Sequence, residues 1–142
     1  MIKYIKNIKD FSKLFEKLSY ENEKYWATYT AMMFKINNNE ELEKLELFLL
    51  KYIRITDHIF EYSNKKILLI LEETTLKWAL NLNDILKKQL KKKNYNLNFY
   101  SSAIQWDFIE KESKLLKWLL KRLKIAEDEK TKKCIHSLSS IN

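Results

Sequence analysis

The sequence predicts an α+β fold, in which a ferredoxin-like βαββαβ core packs helices on one face of an antiparallel sheet. Residues 58–62 alternate between polar and apolar, residues 67–71 form a continuous apolar run, and the residues between them are polar enough to turn the chain. One amphipathic stretch with helical spacing precedes this hairpin and another follows it. A predicted strand comes before the first of these stretches, and another comes after the second. We expect an extra amphipathic helix over residues 1–22 and a single α+β domain over residues 23–138.

The composition excludes several kinds of catalytic site. The 142 residues include no Gly and no Pro, so the chain has no glycine-rich phosphate loop and no nucleophile elbow. The single cysteine, Cys134, has only His58 and His136 beside it, which makes neither a disulfide nor a zinc spacing. We therefore expect no metal and no cofactor. The net charge of +8 attracts anionic partners such as nucleic acid, acidic lipid or phosphorylated ligands.

The sequence predicts a cytoplasmic protein. Its first residues carry a charge every few positions and lack the apolar core of a signal peptide, and no apolar run approaches the length of a membrane span. Without glycine, the turns must be made by Asn, Asp, Ser or Lys. The best candidates for left-handed backbone positions are four asparagines, Asn64, Asn94, Asn96 and Asn98.

The first predicted helix has one apolar face. Its apolar side chains recur every three or four residues, at Ile5, Ile8, Phe11, Leu14 or Phe15, and Leu18. This face either packs on the core of its own domain or forms a homodimer or protein-partner contact.

A central first strand and a buried helix follow. Residues 24–36 are rich in Tyr, Trp, Thr and Phe, which favour a half-buried pleated surface. Residues 39–55 then carry an apolar face made by Leu42, Leu45, Leu49 and Tyr52. Asn38 stands three residues before Glu41, a spacing typical of a helix N-cap.

After the hairpin, Thr74 or Thr75 is placed to cap a third helix. Its apolar positions fall on one face, at Leu76, Ala79, Leu82, Leu86 and Leu90. A lysine run closes this helix, at Lys87, Lys88, Lys91, Lys92 and Lys93. Such a run is usually a solvated helix end, where positive charge suits the helix dipole.

The last part of the predicted domain contains a strand, a helix and a short edge strand. Residues 94–106 alternate in polarity and form the fourth strand of the core. Asp107 with Glu110 makes a second capping pair ahead of a long amphipathic helix. Residues 132–138 add the edge strand.

The region 54–80 resembles the signature region of the GGDEF family, the diguanylate cyclases. Arg54 and Asp57 match the RxxD that precedes the signature, and residues 67–71 match the hydrophobic strand that follows it. Residues 74–79 match the turn that opens the family's next helix. This resemblance implies the GGDEF, nucleotidyl-cyclase-like form of the predicted fold.

Three other segments are similar to GGDEF motifs, so that the resemblance covers roughly residues 24–127. Residues 34–38 resemble the FKxxN motif that closes the family's first strand, and residues 101–104 its SxG strand. Residues 115–126 resemble the family's closing helix, whose phosphate-binding lysine would be Glu127 here.

The resemblance also implies that the family's reaction is absent. The signature positions fall on Ser63, Asn64, Lys65, Lys66 and Ile67, none of which matches. The metal-binding aspartate of the first strand would be Thr30, and the carboxylate of the hairpin turn would be Lys65. Cyclisation of nucleoside triphosphates needs two metal ions held by such carboxylates. We therefore expect a chain that is not an enzyme.

Some of the family's binding positions remain. The RxxD motif is the family's inhibitory site for cyclic di-GMP, which implies a ligand at Arg54 and Asp57, with Arg122 as the only other arginine that could complete it. A guanidinium grips a guanine edge or a phosphate with two hydrogen bonds, where lysine offers one point charge. Lys35 and Asn38 match nucleotide-contacting positions, although for Asn38 we favour the interpretation that it caps a helix.

Three classes of function remain. The first is a catalytically inactive, bacterial GGDEF-like signalling module that binds cyclic di-GMP or a protein partner. The second is a structural or oligomerisation domain built on the first helix. The third is a basic ferredoxin-like nucleic-acid-binding protein, whose stacking platforms would be Phe60, Tyr62, Tyr95 and Phe99.

Overall fold

The computed structural model describes residues 5–63, 65–93, 98–106 and 111–138. The strands are β1 (Ile5–Asn7), β2 (Tyr29–Ile36), β3 (His58–Ser63), β4 (Lys66–Glu72), β5 (Phe99–Trp106) and β6 (Ile135–Leu138). The helices are α1 (Phe11–Tyr25), α2 (Asn39–Tyr52), α3 (Leu76–Lys92) and α4 (Glu112–Asp128), and a 3-10 turn over Ile8–Asp10 precedes α1.

The described strands form one mixed sheet in the order β1-β3-β4-β2-β5-β6. Its four inner strands are antiparallel, with β2 between β4 and β5, and β3 on the far side of β4. The outer strands run parallel to their neighbours, β1 beside β3 and β6 beside β5. The predicted βαββαβ core is confirmed, running from β2 to β5 with α2 and α3 as its helices.

The predicted packing of the core helices on one face of the sheet is confirmed, while α1 and α4, which lie outside the βαββαβ core, cover the other face. Helices α2 and α3 pack on one face, with side chains such as Met32 and Phe34 of β2. Helices α1 and α4 pack on the other face, against the alternate side chains Ala31 and Met33. This two-sided burial explains the continuous apolar run in β4, because a strand buried on both faces has no solvent-exposed polar side.

The N-terminal region was predicted incorrectly in part. Residues Ile5–Asn7 pair with β3 as a short strand, and the helix begins only at Phe11. Phe11, Phe15 and Leu18 are buried in the core beside α4, where the ring centroids of Phe15 and Trp106 lie 4.7 Å apart. The apolar face of the first helix therefore packs on its own domain. The helix continues to Tyr25, so β2 starts later than predicted.

Four described residues have a left-handed backbone, and none is an asparagine: Trp26, Lys65, Glu73 and Lys130. Trp26 and Lys130 follow the ends of α1 and α4, where helix termination demands this conformation from whichever residue is present. The prediction fails for Asn98, while Asn64, Asn94 and Asn96 lie outside the described residues.

Two predicted helix caps are confirmed. Asn38 Oδ1 accepts the backbone N–H of Glu41 at 2.8 Å, and Thr75 Oγ1 accepts that of Trp78 at 3.5 Å. The proposed pair of Asp107 and Glu110 lies outside the described residues. Within the described part of the chain, no helix combines the length and the apolar character of a membrane span.

Candidate functional site

The connection between α2 and β3 is closed by Asp57. Its carboxylate is almost fully buried, with 2% of the side chain exposed, and accepts the backbone N–H groups of Arg54 at 2.8 Å and of Glu72 at 3.1 Å. The backbone N–H of Asp57 donates in turn to the carbonyl of Arg54 at 3.0 Å. This tight turn is therefore anchored to the end of β4.

The guanidinium of Arg54 reaches across the same connection while its side chain stays half-exposed. Nη2 lies 3.3 Å from Asp57 Oδ1 and 2.6 Å from Thr74 Oγ1, and it also donates to the Glu72 carbonyl. These contacts use Nε and Nη2 of a group with five N–H donors, and the described residues leave the two donors of Nη1 for a ligand. The structure thus brings Arg54 and Asp57 together as the sequence predicted.

A groove of about 510 Å³ adjoins this pair. Residues from β1, α2, β3 and their connections line it, namely Lys6, Leu50, Ile53, Arg54, Ile55, Asp57, His58 and Ile59. Lys6 Nζ lies 3.0 Å from His58 Nδ1, and His58 Nε2 lies 2.5 Å from Glu72 Oε2. A lysine can only donate, so this network assigns the ring proton to Nε2. The groove combines an apolar floor with positive charge at its rim.

The structure does not bring Thr30 and Lys65 to one site. Thr30 pairs with Leu71 and donates from Oγ1 to the Thr74 carbonyl at 2.7 Å, close to the Arg54 end of the sheet. Lys65 stands at the other end, where its carbonyl accepts the N–H of Ile36 at 2.9 Å. About 20 Å of extended strand separates Thr30 from the level of Lys65. Thr30 and Lys65 lie far apart because β2 continues without a break from Tyr29 to Ile36.

Two further positions suggested by the resemblance have contacts within the protein. Lys35 Nζ lies 2.5 Å from Glu127 Oε2, so these positions form an ion pair between β2 and α4. Asn38 is the N-cap of α2, as its spacing from Glu41 predicted.

Arg122 lies apart from Arg54. It belongs to α4, which packs on the opposite face of the sheet from α2, and its guanidinium stacks over the Trp118 ring at 5.1 Å. No contact between Arg122 and Arg54 occurs among the described residues. Asn64 of the predicted signature turn lies outside them.

Sequence reasoning missed a buried carboxyl group on α2. Glu46 is 2% exposed and lies beside Glu61 of β3. Burial, with a hydrogen bond and repulsion from Glu61, raises the pKa of Glu46 to about 8. Its position between Leu42, Leu45 and Leu49 on the apolar face was the available signal, since a residue four after Leu42 shares that face.

No protein-family model and no curated protein matches this sequence. Solved structures do match. A microbial GGDEF domain described in an interaction with cyclic di-GMP is 10% identical, with a TM-score of 0.77 over 92% of this chain and 93% of that one. The GGDEF domain of DgcB from Caulobacter crescentus, in complex with cyclic di-GMP, is 8% identical, with a TM-score of 0.79 over 92% and 87%.

A third similar structure is the diguanylate cyclase SiaD from Pseudomonas aeruginosa, in complex with its activator SiaC. It is 12% identical, with a TM-score of 0.75 over 92% of this chain and 58% of that one. At such identities the likeness establishes the fold alone. The chain has the fold of GGDEF domains, a six-stranded mixed sheet with four helices packed on it.

Proposed function

We propose that this chain is a GGDEF-like signalling module without cyclase activity, which binds a cyclic dinucleotide at Arg54 and Asp57 and contacts a protein partner. Two proteins of the same fold are described with cyclic di-GMP, and a third is described with its activator protein. The observation that carries the proposal is the groove beside an Arg54 guanidinium that is already held in place.

The hairpin turn supports the absence of cyclase activity. Lys65 is exposed there, and Lys66 stands directly opposite Lys35 on β2. The positive charges of Lys65 and Lys66 would repel a magnesium ion, whose preferred ligands are carboxylate and phosphate oxygens.

The groove supports a ligand that carries phosphate and guanine. Asp57, Thr74 and the Glu72 carbonyl fix the guanidinium, so that binding would require little further ordering of this side chain. Its remaining N–H groups can meet a phosphate or the O6/N7 edge of guanine. Lys6 adds a second positive charge at the rim of the groove.

The proposed lack of cyclase activity is tested with GTP and ATP in the presence of magnesium or manganese. We expect no cyclic or linear dinucleotide on chromatography. A product formed at more than a trace rate would contradict the proposal.

Ligand binding is tested by calorimetry with cyclic di-GMP. Loss of the charge-assisted contact in Arg54→Ala should weaken binding by roughly 1.5–3 kcal/mol, or about ten- to a hundred-fold. Lys51→Ala is the matched control, because it removes one exposed positive charge from the last turn of α2. Circular dichroism verifies that each variant is folded.

A parent protein that produces no heat at high micromolar ligand would contradict the cyclic dinucleotide and leave the protein partner. Arg122→Ala adds a further comparison. Because α4 lies on the other face of the sheet, we expect Arg122 to serve this site only from a second chain. Weaker binding by Arg122→Ala should then coincide with a ligand-induced dimer in light scattering.

The alternative of oligomerisation through the first helix loses its main support, since Phe11, Phe15 and Leu18 are buried in their own domain. A protein partner has other large apolar side chains to contact. Tyr25 and Trp26, at the end of α1, are 69% and 80% exposed.

A further inference from the structure

We propose that the end of the sheet remote from Arg54 binds single-stranded nucleic acid. The site is a row of four side chains on neighbouring strands: Tyr62 on β3, Lys66 on β4, Lys35 on β2 and Tyr100 on β5. We call it the Tyr-Lys-Lys-Tyr row. This inference does not depend on the proposed cyclic-dinucleotide site.

The sheet register places these residues side by side. Lys35 stands directly opposite Lys66 on one neighbouring strand and directly opposite Tyr100 on the other. Tyr62 precedes Ser63, the partner of Lys66, at an irregularity in the β3–β4 pairing. Both tyrosines pack against the core beneath α1 and α4, and all four side chains are half-buried. The row therefore lies on the α1/α4 face, where this end of the sheet meets solvent.

The charges of the row are poorly compensated inside the protein. Like charges at directly opposite positions of neighbouring strands destabilise a sheet, yet Lys35 and Lys66 are such a pair. Glu127 neutralises Lys35, but Lys132 adds another positive charge, with its Nζ 5.4 Å from the Tyr100 ring centroid. Lys65 lies exposed beside the row. Bound phosphate groups would offset this accumulation of charge.

The last turn of α4 and the residue after it place acidic side chains near this end. They are Glu127, Asp128 and Glu129, of which Glu127 pairs with Lys35 and Asp128 lies 3.9 Å from Lys124. Glu61 of β3 lies beside Glu46 of α2 and so belongs to the other face. The row itself thus keeps a net positive charge.

The dimensions of the row favour a polymer over a single nucleotide. Four neighbouring strands span about 14 Å at their usual separation. Helix α3 runs antiparallel to β5, as the contacts of Leu76 with Gln105 and of Asn83 with Ser101 show, so its exposed final lysines lie toward the same end. Spread positive charge tracks a phosphate backbone, and aromatic rings beside it stack on bases without selecting a sequence.

The row is distinct from the Arg54 groove. Lys66 and Glu72 are the two ends of β4, and about 20 Å of extended strand separates them. Substitutions at one site should therefore leave the other intact.

The test is fluorescence anisotropy of the full chain with labelled oligo(dT) and oligo(U), titrated with salt between about 50 and 200 mM. We expect the magnitude of the slope of log affinity against log salt to decrease by about 0.7 in Lys66→Gln and by a similar amount in Lys35→Gln. Tyr100→Leu should weaken binding about ten-fold or more with an unchanged slope, since stacking carries no charge. Lys77→Gln, an exposed lysine on the first turn of α3, is the matched control and should bind like the parent.

Three results would overturn the inference. The parent could fail to bind either oligonucleotide at the lowest salt. Lys77→Gln could weaken binding as much as Lys66→Gln, which would mean that the whole surface attracts nucleic acid without a site. A free nucleoside monophosphate could bind as tightly as the oligonucleotide. Melting curves accompany every variant, and Lys66→Gln should be at least as stable as the parent because it removes the like-charge pair.

Discussion

Asp57 illustrates what a buried charged residue does for this fold. One carboxylate holds the end of the α2–β3 connection, the end of β4 and the side chain of Arg54. The spacing Arg-x-x-Asp could be read from the sequence, and it was the basis for predicting that the two residues share one site. Their partners Glu72 and Thr74 could not be inferred, because they join the pair only through the return of β4.

Replacing Asp57 by asparagine should lower the free energy of unfolding by roughly 1.5–3 kcal/mol, because hydrogen bonds from two backbone N–H groups and a guanidinium lose their charged acceptor. Urea denaturation measures this change. Asp128→Asn is the control, since that side chain is 63% exposed. An equal effect of both substitutions would show that Asp57 has no special role in stability.

Glu46 should make stability fall as pH rises. Its pKa lies near 8 in the folded protein, above its ordinary value of 4.5, so the folded state holds a proton that the unfolded state releases. Below about pH 4.5, Glu46 is protonated in both the folded and the unfolded state, so it does not lower the free energy of unfolding. Between about pH 4.5 and pH 8, the free energy of unfolding falls as pH rises. Glu46→Gln should be more stable than the parent above about pH 8, by roughly 2–4 kcal/mol.

Denaturation of the parent and of Glu46→Gln across this pH range measures the effect. Glu40→Gln removes an exposed carboxylate from the first turn of the same helix and should give a curve parallel to that of the parent. Parallel curves for the parent and Glu46→Gln would contradict the raised pKa.

The individual elements show where local sequence decides structure. The positions of α2 and α3 followed from apolar periodicity and from the caps Asn38 and Thr75, all of which act within a few residues. Strand β1 could not be recognised, because three residues are too few to show alternation and its partner β3 lies more than fifty residues away. The same separation hid Lys6 from the predicted ligand site, although it lines the groove.

A glycine at the end of α4 should stabilise the protein. Lys130 has φ 53°, a left-handed conformation that costs a residue with Cβ about 1–2 kcal/mol. A glycine would remove this strain, but its greater flexibility in the unfolded state would offset part of the gain in stability. We expect Lys130→Gly to raise the free energy of unfolding by about 0.5–1 kcal/mol. Glu129→Gly, at φ −83°, should lower it by a similar amount. Thermal melting distinguishes the two, and a loss of stability in both would refute the argument.

At the scale of the whole molecule, the sheet is covered on both faces, and the first helix supplies part of one cover. Periodicity correctly predicted that α1 has an apolar face, and the choice between its own core and a second chain was left open. Only the three-dimensional arrangement decides it, since the rings that receive Phe11 and Phe15 belong to β3 and β5.

A chain that begins at Tyr20 should not fold. It lacks Phe11, Phe15 and Leu18, whose burial contributes about 1.5–3 kcal/mol each, a sum comparable to the whole stability of a small domain. Circular dichroism should show loss of ordered structure, and light scattering should show large particles. A chain that begins at Lys9 keeps all of α1 and should remain folded. A folded monomer from the shorter chain would mean that α1 is dispensable.

The short outer strands have a consequence for how the protein behaves in concentrated solution. In the described sheet, β1 and β6 span three and four residues, and each shields a longer neighbour, β3 or β5. Four residues of backbone pairing are easily opened, and the eight-residue strand β5 would then present the unpaired N–H and C=O groups of its outer edge. Such a strand is a template for fibrillar growth, so β6 acts as a guard against amyloid-like assembly.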